Sequence, residues 1–435
     1  VSVTTAMGAA LRRIQLGNAL SAFGNGFTVP FLFVYVAQVR DLGASAAGVV
    51  LATLAVAALI VLPFTGRVID RRGPLPVAIA GAITAAVGSL GLGLSATEPT
   101  AIVSAALVGA GFAVIQPALA TMIVWSSTTQ TRSRAFATQF FLNNLGLGIG
   151  GLLGGLLVDT AHPSSFVRLF SIESAMFLVL AATVATVRLP KMPKVAGSVP
   201  TDERARGGAR ALLRDRAMVH LCVLGFVMFF ACYGQFESGL AAFATEVTRI
   251  SPATLGIALA ANTAAIVLAQ FVVLKLVEGR RRSRVIALVG LVWTVAWLAA
   301  AVSGAVHGSH AIATAAIIST YALFGVGEAM LSPTVAPLVA DLAPAPLIGQ
   351  YNSAFALVKQ LALALGPAVG GMLAGAGMYG AYLTMLVVCS LGITGFALRL
   401  GRHLTPAQDN PLRAVPAPVP AQRASAVEPQ VAAAA

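Results

Sequence analysis

Charge is what this sequence has least of. Asp, Glu, Lys and Arg make up 10% of its 435 residues, against about 25% in an ordinary soluble chain. Hydrophobic residues make up 58%, more apolar surface than a water-soluble fold of this length can hide. Cysteine is scarce too: Cys222, Cys232 and Cys389 are odd in number and sit in apolar stretches, which excludes a disulfide framework. The five histidines are scattered toward the edges of apolar stretches. No metalloprotease, phosphate-loop or nucleophile-elbow pattern occurs, so nothing argues for an enzyme, and neither metal nor cofactor is expected.

What the chain does have is long stretches almost free of charge, each near the roughly 20 residues a helix needs to cross a bilayer. Twelve are expected, near residues 15–38, 45–66, 75–96, 101–125, 136–158, 165–187, 217–241, 252–276, 284–304, 310–337, 350–374 and 378–399. The first is too long for a signal peptide and lacks a small-residue cleavage site, so it is read as a retained span. The expected fold is therefore all-α, spanning the lipid bilayer.

A net charge of +13 would suggest nucleic acid in a soluble protein, but its distribution excludes that partner. With twelve spans and both termini on one side, 24 of the 28 basic residues fall on that side. Three (Arg40, Arg168, Arg249) fall on the other, and Lys359 lies in mid-membrane. This asymmetry makes the basic side cytoplasmic, in a bacterial-type inner (plasma) membrane.

The longest internal polar stretch, Arg188 to Arg216, carries eight basic residues and separates six spans from six. It predicts an N-terminal bundle over 1–187, a cytoplasmic linker over 188–216 and a C-terminal bundle over 217–402. From His403 the chain turns Pro-, Ala- and Gln-rich without periodicity, a composition expected to leave 403–435 as a disordered cytoplasmic tail. An internal repeat supports the two bundles. Gly109, Gly111, Pro117, Gly150, Gly154 and Gly155 recur 216 residues later as Gly325, Gly327, Pro333, Gly366, Gly370 and Gly371. Two parallel six-helix repeats about an axis along the membrane normal have this property, and the bundles are expected to be pseudo-symmetric.

After the second span the chain reads Gly66-Arg67-Val68-Ile69-Asp70-Arg71-Arg72-Gly73. This resembles the cytoplasmic signature of the major facilitator superfamily, Gly-x-Leu-x-Asp-Arg-x-Gly followed by two basic residues. Gly66, Asp70, Arg71 and Gly73 match, while Pro74 and Leu75 replace the basic pair. The resemblance implies that the Asp70 carboxylate favours the positive N-terminus of the eleventh span, near Gln350. In the fifth span Gly146, Gly150, Gly154 and Gly155 resemble the family's exporter signature, with Gly151 where proline is usual. The eleventh span restores that proline as Gly366-Pro367, followed by Gly370 and Gly371. Glycines four apart let helix backbones approach closely, so these residues are gating candidates. In the family's fourth-helix pattern an arginine precedes the first glycine by four residues, where this chain has Ala105. That weakens the expectation of proton antiport.

Ionisable groups inside the membrane are functional candidates, because each costs roughly 2.5–3.5 kcal/mol at mid-bilayer. Glu173 lies near the outer end of its span, where a structural hydrogen bond is the expected role. Glu237, Glu328 and Lys359 are proton-coupling candidates. Glu328 and Lys359 lie at matching depth, and an ion pair between them is expected. The resemblance implies a substrate site between the halves, lined mainly by the first, fourth, seventh and tenth spans. Its candidates are Phe23, Asn25, Phe27, Phe31, Phe112, Gln116, Tyr233, Gln235 and Phe324; Asn18, Asn143, Asn144 and Gln360 are further sources of polarity. A cavity rich in Phe and poor in charge suits a small apolar or amphipathic compound. The expected function is alternating-access transport, outward, as in multidrug-resistance antiporters, with protons a candidate coupling partner. The alternatives are an importer of a small metabolite and a non-transporting membrane sensor with the same fold.

Overall fold

The computed structural model describes residues 3–160, 162–189, 208, 210–236, 238–306 and 309–413. Among these, twelve helices are long and apolar enough to cross a membrane: α1 (Gly8–Val39), α2 (Gly43–Arg72), α3 (Pro74–Leu94), α4 (Glu98–Trp125), α5 (Arg132–Leu157), α6 (Pro163–Ala185), α7 (Arg216–Val247), α8 (Thr254–Val277), α9 (Arg282–Ala305), α10 (His310–Leu342), α11 (Ala345–Gly375) and α12 (Tyr379–Leu400). Each coincides with an expected span. The helices run past the apolar runs at the basic end: α1 starts at Gly8, and α10 reaches Leu342. Most of the expected linker, Glu237 and residues 414–435 lie outside the described residues.

Local chemistry sets the helix ends. Gly73 ends α2 at φ +86°, a backbone shape a side chain would strain, and hands over directly to Pro74 at the first turn of α3. Thr97 and Thr100 form a reciprocal capping box on α4. Asp215 caps α7 by accepting from the Met218 N–H at 3.1 Å, and Ser251 caps α8 in the same way from Thr254 N–H. Outer faces stay apolar, with Leu156 81% and Leu268 77% exposed, as lipid contact requires.

The repeat governs packing as well as sequence. A Cβ on Gly109 would strike the Leu54 backbone of α2, and one on Gly111 would meet Ala85 of α3 at 2.6 Å. Their counterparts Gly325 and Gly327 abut Asn262 of α8 and Trp293 of α9. So α4 and α10 each sit wedged between the same two neighbours. A second correspondence is absent from the residue types. Both α1 and α7 end in a π-turn, Tyr35–Val39 and Phe243–Val247, followed by non-glycine residues Asp41 and Arg249, each at φ +54°. These positions are 208 apart, not 216, and the halves differ in helix and loop lengths between them.

The two halves meet at the basic end. The apolar core around α3, α4 and α6 takes in Ala340 and Ile348 of the other half, and Ala58, Leu62 and Ala113 pack with Ala356 and Leu357. Residues 403–413, which composition assigned to a disordered tail, instead fold back as α13 (Pro406–Asp409). The Asp409 carboxylate accepts from Ser283 N–H at 2.8 Å and Ser283 Oγ at 3.0 Å, satisfying one of the orphan backbone donors that open α9. Asn410 Nδ2 donates to the Gly279 carbonyl at 3.0 Å.

Candidate functional site

A cavity of about 300 Å³ lies between the halves. Each wall is a helical stripe at i, i+3, i+4, i+7 spacing: Phe136, Gln139, Phe140 and Asn143 on α5, and Asn352, Phe355, Ala356 and Lys359 on α11. Asn18 of α1, Gln116 and Ala120 of α4, Phe229 and Tyr233 of α7, and Glu328 and Leu331 of α10 complete it. The lining combines four phenylalanines with amides, one carboxyl and one amine.

Glu328 and Lys359 share this cavity but form no ion pair, which corrects the expected contact. The Glu328 carboxyl is 3% exposed and accepts from Asn262 Nδ2 of α8 at 2.9 Å, and the Tyr233 hydroxyl faces the same group. Lys359 Nζ instead stands over the Phe229 ring, 5.1 Å from its centre, in a cation–π contact. Matching depth brought the two side chains to one cavity, but their direct contacts are to α8 and α7.

Among the expected substrate residues, Gln116 and Tyr233 line the cavity, as do the further amides Asn18 and Asn143. Phe23, Phe27 and Phe31 do not. They form the face of α1 that receives the glycines of α5: a Cβ on Gly154 would come within 3.1 Å of both Phe27 Cα and the Phe31 ring. Asn25, on the same helix, is also absent from the lining. Phe324 is fully buried inside the C-terminal half against Trp293, Trp297 and Phe236. Gln235 is fully buried and ties α7 to α11, its Nε2 donating to the Phe230 and Gly366 carbonyls at 2.9 and 3.2 Å. Phe112 is 39% exposed, away from the lining. Glu237 lies outside the described residues. Glu173 takes a hydrogen bond of 2.5 Å from Ser89 Oγ inside the N-terminal half, a structural position.

The gating glycines divide by what surrounds them. Gly146 and Gly150 abut the backbone carbonyls of Ala19 and Phe23, and Gly366 and Gly370 abut Gly234 and Gln235 of α7. These four are contact points of α5 on α1 and of α11 on α7. Gly155 would meet only the Phe31 ring at 3.8 Å, and Gly371 faces open space, so neither is required by packing. Pro367 lies within the long helix of α11, next to that contact.

Around the basic end, polar bonds cross between the halves. Asp70 accepts from the Gly349 and Gln350 N–H groups of α11, and a Cβ on Gly66 would come 2.5 Å from Gln350 Cα. Asp341 at the end of α10 bridges Arg132 of α5 and Arg282 of α9, the latter at 2.6 Å. Arg134 pairs with Glu278 in a two-bond fork at 2.6 and 2.8 Å. Asn352 Nδ2 reaches Thr121 Oγ1 at 3.3 Å. Motif matching pointed to Asp70; the Arg132–Asp341–Arg282 bridge has no comparable local signal, because its members lie 209 and 59 positions apart. The cavity stripes on α5 and α11 were within reach of sequence reasoning, as aromatic and amide residues alternating at helical spacing. Among the described residues no group of three or more His, Cys, Asp or Glu side chains is placed to hold a metal ion.

Two six-helix bundles with a repeated internal packing, meeting around a cavity between them, define the architecture of a membrane transporter, not of an enzyme. The sequence pattern of the Major Facilitator Superfamily matches residues 14–248 and 239–432, and the chain belongs to that superfamily. It is 29% identical over 170 residues to Multidrug resistance protein 1 of Bacillus subtilis (strain 168), a match covering 38% of this chain and 43% of that protein. The chain thus matches less than half the length of the curated relatives it resembles. In fold it is similar to the Major Facilitator Superfamily transporter FucP in an outward conformation, with a TM-score of 0.73 at 16% identity, covering 91% of this chain and 99% of that one. A bacterial homologue of the iron transporter ferroportin, in an outward-facing state, gives 0.72 at 14% identity, covering 90% and 98%.

Proposed function

We propose that this transporter exports a small apolar or amphipathic organic compound by alternating access, with its basic end in the cytoplasm. The observation that carries this reading is the cavity: four phenylalanines, adaptable amides and a single buried carboxyl suit an apolar guest with a polar or cationic group better than a sugar, which needs many fixed polar partners. The bonds that join the halves at the basic end support reading that end as a closed gate. The name of the Bacillus relative supports the export direction. Glu328 is the preferred proton carrier: it lines the cavity, and its partner Asn262 holds it with a neutral amide rather than a fixed cation.

The second reading, import of a small metabolite, is favoured by Gly151, which stands where the exporter signature carries proline. The test is transport of labelled lipophilic cations and neutral amphiphiles in two preparations. An exporter accumulates substrate in inverted vesicles on an imposed proton gradient, and an importer accumulates it in whole cells. Accumulation in neither preparation would overturn both readings.

A further inference from the structure

A second, larger cavity among the described residues lies outside the central site. It occupies about 740 Å³ at the basic end of the C-terminal half, between α9, α12 and the folded-back tail. Arg280, Arg281, Arg284 and Arg413 line it, above an apolar floor of Val285, Leu288 and Leu404. The four arginines are exposed, and none has a carboxylate partner within ion-pair distance among the described residues. The Asp409 carboxylate also borders the cavity, but both of its oxygens are taken by Ser283. The wall therefore keeps an uncompensated positive charge.

Basic residues at this end serve orientation in any membrane protein, and three arginines around one loop and the helix start after it would need no other explanation. The tail changes that. Arg413 comes from the far end of the chain and is held opposite the loop by four bonds: two between Asp409 and Ser283, one from Asn410 to the Gly279 carbonyl, and one from Arg282 Nη1 to the Gln408 carbonyl at 3.0 Å. Its guanidinium stands near Gly279, whose φ of +78° turns the loop. Orientation requires charge but no such convergence on a cavity. The floor supplies the second half of a ligand's chemistry: Leu288 is 46% exposed on the outer surface of α9, so apolar surface continues from the cavity toward the lipid-facing side.

We propose that this cavity binds the phosphate of an anionic phospholipid headgroup, with acyl chain on the Leu288 surface. Guanidinium groups match phosphate oxygens in planar pairs, and a basic pocket between spans at the cytoplasmic side suits such a headgroup. The site is independent of what the central cavity carries.

The test compares full-length protein with the triple variant Arg280→Gln, Arg284→Gln, Arg413→Gln, and with a control losing equal charge elsewhere on the same end, Arg12→Gln, Arg210→Gln, Arg214→Gln. Retention of phosphatidylglycerol and phosphatidylcholine is read by native mass spectrometry of the detergent-purified proteins, with inorganic phosphate as competitor. Melting curves establish that each variant folds. Each arginine is worth roughly fivefold, so the pocket variant is expected to lose phosphatidylglycerol affinity on the order of a hundredfold. The control keeps near-native affinity, and phosphatidylcholine binds weakly throughout. Displacement by millimolar inorganic phosphate would overturn the lipid source in favour of a soluble phosphate. Equal losses in the two variants would overturn the site itself, leaving only diffuse surface charge.

Discussion

Asp70 and Gly349 are 279 positions apart in sequence, yet the Asp70 carboxylate accepts the Gly349 N–H at 2.7 Å and the next amide, of Gln350, at 3.1 Å. These amides belong to the first turn of the α11 helix, where no intrahelical acceptor exists for them. An acid of one half thus caps a helix of the other and meets the positive end of its dipole. Such a contact is worth about 0.3–1 kcal/mol when exposed and up to about 2 when partly buried. That is enough to bias an opening equilibrium without governing folding.

Asp70→Asn is accordingly expected to leave expression and insertion intact, to lower transport severely, and to raise the labelling of a cysteine placed at Ala356 from the basic side. Gly66→Ala should resemble it, since the added carbon meets Gln350 backbone. Normal transport and labelling in well-expressed Asp70→Asn would count against the gate.

Asp341 offers a second handle on the same closure. Arg282, with a side chain only 4% exposed, takes its carboxylate from Asp341. Asp341→Asn leaves that guanidinium short of charge, and breaking a buried pair costs about 3–5 kcal/mol. Thermal melting should fall well below that of Asp70→Asn, and basic-end labelling should rise. A melting curve superimposable on the parent's would show the bridge to be unimportant.

For the glycines, Gly150→Ala is expected to abolish transport, because the added carbon collides with the Phe23 carbonyl, and Gly154→Val should do the same by separating α5 from α1. Gly148→Ala, which meets only a Thr263 methyl at 3.5 Å, and Gly371→Ala, which meets nothing, should transport normally. Equal behaviour across all four substitutions, in protein that reaches the membrane, contradicts the packing assignment.

Glu328→Gln preserves an acceptor for Asn262 and should melt close to the parent, yet lose pH-driven transport while still exchanging substrate down its gradient. Glu328 and Lys359 line one cavity without a direct ion pair, so the double variant should lie near the sum of the effects of Glu328→Gln and Lys359→Gln, with a coupling short of the about 3–5 kcal/mol that breaking a buried pair costs. A double variant much more stable than that sum would show that the pair meets. Unchanged pH dependence in Glu328→Gln would remove it from proton coupling.

Glu278 titrates outside the spans, and its hydrogen bonds and charge attraction to Arg134 hold it below the usual glutamate range. The sign follows: a depressed folded value contributes stability that is present above the unfolded value and lost as pH falls through the folded one. Closure of the basic end should therefore loosen on acidification below the ordinary glutamate range, and Glu278→Gln should flatten that part of the labelling-versus-pH curve. An unchanged curve in Glu278→Gln assigns the loosening to another group.

By itself the sequence determined the number of spans, the division into two halves and the repeat. These follow from apolar runs of bilayer length and from glycines and prolines that recur in register, both local properties. It also determined the Asp70 contact, because that signature is contiguous, and the Phe-rich chemistry of the cavity, because Phe is the commonest large aromatic available in the spans. Which phenylalanines line it was decided by the tertiary structure. The α5 glycines receive the α1 backbone at Phe23 and Phe27 and the ring of Phe31, while Phe136, Phe140, Phe229 and Phe355 take the wall. Each helix has two apolar faces of nearly equal character, one for its neighbour and one for the cavity or lipid, and hydropathy does not distinguish them. Tertiary packing likewise parted Glu328 from Lys359, joined Asp341 to two arginines, and folded residues 403–413 back onto α9. In that last case composition misled, because the ordering includes specific polar contacts, among them Asp409 with the start of α9, that composition does not register.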